Sequence, residues 1–198
     1  MERDLINEIK KMSTKAHYEV KSKSNCLYTF IDGLTFVVLI SYSKKGKFYN
    51  ASFSCKPYLS DDLFWEITEN EPLSKTKRIT GAFTVPTFRY DRLERILETP
   101  SSIIIKKLEE MVNYFKPTQG EAMEFHQACF YRNEKLFKRN YVLDVILLIM
   151  ARDKQLLFSR VQDFKKTGSK DGFSFVQADG SRKSFTDYVE EYIVEINF

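Results

Sequence analysis

A chain of 198 residues is long enough to bury a core without disulfides or metal staples. Its 31 basic and 27 acidic residues leave a net charge of +4, well short of the density of a dedicated nucleic-acid binder. Seven glycines leave little material for phosphate-cradling loops, and three cysteines make no disulfide framework. The positive excess falls in residues 1–60, which hold 10 basic and 5 acidic residues. Lysines outnumber arginines and Phe, Tyr and Ile are frequent, a composition expected of a small bacterial-type protein. The N-terminus carries Glu2 and Asp4 where a secretion signal places basic and then apolar residues. The longest apolar run, Val145–Ala151, is too short to span a bilayer. A cytoplasmic protein without a membrane partner is the expectation.

Leu5, Ile6, Ile9, Met12 and Ala16 follow helical spacing and predict an amphipathic helix from about Glu2 to Lys15. Residues 25–57 then read as a three-stranded antiparallel meander with turns at Asp32-Gly33 and Lys45-Gly46. Two-residue turns at both places pair Ile31 with Leu34, Thr29 with Phe36 and Leu27 with Val38. They also pair Tyr42 with Tyr49, Ile40 with Ala51, Val38 with Phe53 and Phe36 with Cys55. Both registers select the same buried face, and the opposite face is half polar.

Ser60 is read as the N-cap of a short helix over 61–68, with Asp61 and Asp62 in its first turn. A fourth strand is predicted over Ile79–Val85. Asp91 and Glu94 resemble a capping box before a helical Leu93, Ile96 and Leu97. Beyond Pro100 the pattern is mainly helical, with helices over about 102–116, 121–131, 141–151 and 156–167. A short strand over 173–177 and a last helix opened by Ser184 and Asp187 complete the chain. The expected fold is α+β: an N-terminal helix and a mostly antiparallel four- to five-stranded sheet packed against C-terminal helices. One domain is expected, sheet-rich to about residue 98 and helical from about 100.

No Walker loop, GxGxxG, HExxH or CxxC occurs. Cys26, Cys55, His126 and Cys129 are the metal-ligating candidates, but the register sends Cys26 and Cys55 to opposite faces of the meander, so no metal or other cofactor is expected. His126 and Cys129 stand three apart on a helix without an evident orienting group, and His17 reads as a surface histidine. No catalytic residues are assigned. An enzyme reading rests on a site assembled from distant residues, with His126 and Glu121 or Glu124 as participants.

The favoured reading is a non-catalytic protein-interaction module that masks or bridges another protein, as immunity and adaptor proteins do. Its candidate surface is the acidic run containing Asp62, Glu66, Glu69 and Glu71 beside Trp65, since aromatic residues next to charge suit an interface. Arg89, Arg92 and Arg95, at i, i+3 and i+6, form a set able to hold a phosphate or an acidic partner. A nucleic-acid reading, less favoured, uses the basic N-terminal region with Tyr28 and Phe30 on the polar face of the sheet.

Overall fold

The computed structural model describes residues 2–15, 19–23, 25–69, 85–167, 173–177 and 179–195. The fold is α+β. Contacts divide the chain into two units, Met1–Tyr58 with Thr87–Glu121, and Leu59–Pro86 with Ala122–Phe198. The chain therefore leaves the first unit after the meander and returns to it, a boundary that composition does not mark.

The first unit holds helix α1 (Glu2–Lys15) and strands β1 (Lys21–Lys23), β2 (Cys26–Ile31), β3 (Leu34–Ser43), β4 (Phe48–Pro57) and β5 (Phe88–Ile96). Helix α3 (Pro100–Phe115) and a 3-10 turn at Lys116–Thr118 complete it. The five strands form one antiparallel sheet in the order β1-β2-β3-β4-β5. Every cross-strand pair expected for the meander is present. Leu27, Leu34, Phe36, Val38, Ile40, Ala51, Phe53 and Cys55 are buried on one face. Helix α3 packs on β4, and its Phe115 meets Phe88 edge-on at 6.0 Å. Helix α1 packs on α3 through the stripe Leu5, Ile6 and Ile9.

The opposite face is less uniform than its polarity suggests. Phe30 and Leu39 are 37% and 48% exposed, whereas Thr35, Val37, Ser54 and Lys56 are buried at the end next to Asp32-Gly33. The two hairpin turns also differ. Asp32 and Gly33 both take positive φ, 46° and 75°, as a two-residue type I′ turn requires. Gly33 backs onto Gly120 so closely that a Cβ at Gly33 would lie 2.9 Å from the Gln119 carbonyl oxygen. The second connection is a four-residue turn, 44–47, in the same register, and its left-handed residue is Lys47 rather than Gly46. Gly46 answers a different need: the ring of Phe48 occupies the place of its Cβ.

The stretch expected to be helical from Asp91 is strand β5. Two bulges, between Tyr49 and Ala51 and between Phe53 and Ser54, make its pairing skip residues. Phe88, Asp91, Leu93 and Ile96 therefore share a face, opposite Cys55, Phe53, Ala51 and Tyr49. Spacings of three within a strand imitate the helical period, which is why the pattern misleads. Asp91 accepts from Lys107 of α3 at 3.1 Å instead of capping a helix. Strand β1 carries no apolar pattern and was not expected. Of the strand expected over Ile79–Val85, residues 79–84 lie outside the described residues.

The second unit holds helices α2 (Ser60–Ile67), α4 (Ala122–Phe137), α5 (Tyr141–Met150), α6 (Lys154–Thr167) and α7 (Phe185–Glu195), with a hairpin of β6 (Ser174–Val176) and β7 (Arg182–Ser184). Helix α5 is buried from Tyr141 to Ile149 and contacts α2, α4 and α6, the central place its unbroken apolar run implies. Helix α4 breaks at Asn133 (φ −162°, ψ 84°), whose Oδ1 accepts from Leu136 N at 3.0 Å and caps the turn beyond the break. Phe64 of α2 stacks on Phe185 at 5.4 Å and meets Phe173 edge-on at 5.2 Å. Ser184 and Asp187 form the expected reciprocal cap: Ser184 N donates to Asp187 Oδ2, and Asp187 N donates to Ser184 Oγ. The Ser60 cap is not made; Leu59 holds the N-cap position and Ser60 is buried inside the first turn.

Candidate functional site

Helix α2 places its residues on two sides. Phe64, Trp65 and Ile67 are buried, and Trp65, at 1% exposure, belongs to the core. Asp61 is buried as well; its Oδ1 accepts from Val85 N at 2.8 Å, fastening a residue 24 positions away. Asp62 is half-buried, while Glu66 and Glu69 are exposed. Glu71 lies outside the described residues, as does His17. The acidic run is thus one structural carboxylate and a set of surface ones, and a partner would meet Asp62, Glu66 and Glu69 without the indole.

Helix α7 completes what α2 begins. Its Tyr188, Glu191, Tyr192 and Glu195 recur at helical spacing and turn towards Glu66, Ile67 and Glu69, enclosing a concavity of about 250 Å³. Tyr192 Oη donates to Glu66 Oε1 at 2.7 Å. Burial first, and then the Glu66 carboxylate, push the Tyr192 hydroxyl up to about 12. At neutral pH that hydroxyl keeps its proton and donates it to Glu66. Four glutamates and two tyrosines line the space, and among the described residues no basic side chain does.

A cation already stands beside this group. Lys183 of β7 holds its ammonium 3.9 Å above the centre of the Tyr188 ring and pairs with Glu191. Its pKa is raised, chiefly by the Glu191 contact. Ring face and carboxylate together solvate an ammonium as water does, and both are supplied by α7. Sequence reasoning found Glu66 and Glu69 but missed Tyr188, Glu191, Tyr192 and Glu195. A regular i, i+3, i+4, i+7 set of Glu and Tyr on the last helix was the available signal.

The other candidates take different places. Arg89 and Arg92 lie on β5 opposite Ser54 and Ser52, so a bulge rather than a helix brings them to one face. Arg92 pairs with Glu94 at 3.0 Å, and Arg95 takes a left-handed φ of 55°. Tyr28 is buried, and Phe30 meets both Tyr28 and Tyr58 edge-on, at 5.9 and 5.3 Å. Cys26 and Cys55 do point to opposite faces of the sheet. None of the three cysteines is in a disulfide, and all are buried. Among the described residues no group of three or more His, Cys, Asp or Glu gathers as metal ligands, and no helix is long and apolar enough to cross a membrane.

His126 belongs to a buried polar network in the second unit. Its Nε2 lies 2.8 Å from Asp144 Oδ1, and Arg160 Nε pairs with the other carboxylate oxygen. His126 is 7% exposed and packs edge-on against Phe137 at 4.9 Å. The Cys129 thiol is pushed up by burial and then by Asp144, so no reactive thiolate is at hand. Three helices are tied here by one carboxylate, an arrangement that serves the core.

Comparison with protein-family models, with characterised proteins and with solved structures gives no match.

Proposed function

We propose that this chain is a non-catalytic protein-interaction module of the cytoplasm, masking or bridging a partner that presents a lysine- or arginine-rich segment to the α2–α7 concavity. The observation that carries the reading is the lining: Glu66, Glu69, Glu191 and Glu195 with Tyr188 and Tyr192, and no cation among the described lining residues. The ammonium of Lys183 over Tyr188 is the chain's own example of the group such a surface takes. Carboxylates at the rim would steer a basic partner, and the tyrosines offer ring faces and hydroxyls once it docks. Three buried cysteines outside any disulfide suit a reducing compartment, and the lysine-rich, Phe- and Tyr-rich composition suits a bacterial source.

The test is binding of an oligolysine or oligoarginine peptide by titration calorimetry at low and physiological salt. The parent should bind at low salt and weaken as salt rises. The Glu66→Gln/Glu69→Gln/Glu195→Gln variant changes exposed residues, so it should fold normally and lose most of that binding. Equal binding by parent and variant would show that the concavity is an ordinary solvated helix pair.

A further inference from the structure

We propose a second binding site in the first unit: the tip of the β3–β4 hairpin, Tyr42–Tyr49, engages single-stranded nucleic acid. The modest net charge of the whole chain conceals a local concentration. Lys44, Lys45 and Lys47 occupy three of the four residues of one turn. All three are exposed, and none has an ion-pair partner among the described residues. On a folded surface of mixed sign, neighbouring ammonium groups repel each other unless an anion offsets them.

The backbone holds the turn in a defined shape. Gly46 N donates to Ser43 Oγ at 3.2 Å, and the Phe48 ring covers Gly46 where any side chain would collide. Lys47 takes the left-handed conformation at φ 52°, a position glycine occupies at lower cost. Ile96 lies opposite Tyr49, and the exposed Arg95 donates its backbone N–H to Asn50 Oδ1 at 3.2 Å.

Aromatic residues flank the turn on both strands. Tyr42 and Tyr49 are a cross-strand pair, half-buried, with ring centres 4.8 Å apart and planes tilted by 49°. Phe48 is half-buried, with its ring against Gly46 on the face opposite Tyr49. Cations spaced along a turn neutralise phosphates, and partly open rings beside them offer faces to unpaired bases. A duplex hides its base faces and would use only the cations. The combination therefore selects a single strand over a duplex, and over an acidic peptide with charge but no bases.

Fluorescence anisotropy with a labelled 12-nucleotide oligothymidine or oligouridine tests this, alongside a duplex of equal length and polyglutamate as competitor. The single strand should bind at low salt and more tightly than the duplex. Lys44→Gln/Lys45→Gln/Lys47→Gln should flatten the plot of log affinity against log salt by about 2, three contacts at about 0.7 each. Tyr42→Leu and Phe48→Leu keep every charge and should each weaken binding by about 5- to 160-fold, the range of one lost base stack. Thermal melts check that each variant is folded, and Tyr42 and Phe48 are separate probes should one of them disturb the hairpin. Absence of binding, an unchanged triple variant, a duplex bound equally well, or displacement by polyglutamate at matched charge would each overturn the proposal.

Discussion

Asp144 ties three helices of the second unit together, and its removal should be costly. The carboxylate is fully buried, with Oδ1 at 2.8 Å from His126 Nε2 and Oδ2 against Arg160 Nε. Asp144→Ala leaves a nearly buried imidazole and a guanidinium without their acceptor. Breaking a buried pair by removing one partner costs about 3–5 kcal/mol. Arg160 is 23% exposed along its side chain and can turn part of its charge to water, so the lower end applies, about 3 kcal/mol. Against a total stability of about 5–15 kcal/mol this is a large share. Urea denaturation at pH 7, followed by far-UV circular dichroism, should show a lower midpoint with an unchanged slope. The companion variant His126→Leu/Asp144→Leu/Arg160→Met replaces the whole network with apolar groups and should recover most of the loss. A loss below about 1 kcal/mol in Asp144→Ala would refute the burial argument. Failure of the triple variant to recover would mean that the network does more than hold three helices together.

Three further outcomes are expected. Phe53 is fully buried opposite Val38, so Phe53→Ala should cost about 3–5 kcal/mol in the same denaturation assay, and a cost near zero would place it on the wrong face. Gly33→Ala and Gly180→Ala both put a side chain at positive φ, 75° and 83°, but only Gly33 faces a backbone oxygen at 2.9 Å. Gly180→Ala should therefore cost about 1–2 kcal/mol for the left-handed backbone alone, and Gly33→Ala clearly more; equal melting temperatures would contradict the Gly33–Gly120 approach. The Tyr192 hydroxyl, raised from 10.0 to about 12 by burial and then Glu66, is neutral in its favoured form. Its contribution to stability is complete below pH 10 and lost as pH rises towards 12, and Glu66→Gln should bring its absorbance titration down towards the ordinary tyrosine value.

The meander was written in local chemistry. Asp32-Gly33 supplies two residues that tolerate positive φ, and the registers of the two hairpins agree on one buried face although Val37 and Leu39 put apolar groups on the other; a slip of one residue would send Phe36 and Val38 to the other side. The same is true of α5, whose apolar run can only be central, and of the Ser184–Asp187 cap, which needs no neighbour. Strand β5 was not legible, because its period is set by bulges that exist only where it pairs with β4, and in isolation Asp91, Glu94 and Ile96 read as helix. β1 is a strand only because β2 offers it an edge. The acidic surface was half legible for a related reason. Sequence spacing identifies which residues share a face of one helix, as it did for Asp62 and Glu66, but the burial of Asp61 and Trp65 and the meeting of Glu66 with Tyr192 depend on residues far along the chain. Local propensity and period determine elements and their inward faces; which faces meet, and so where charges and rings collect, is decided by long-range packing that no window of sequence contains.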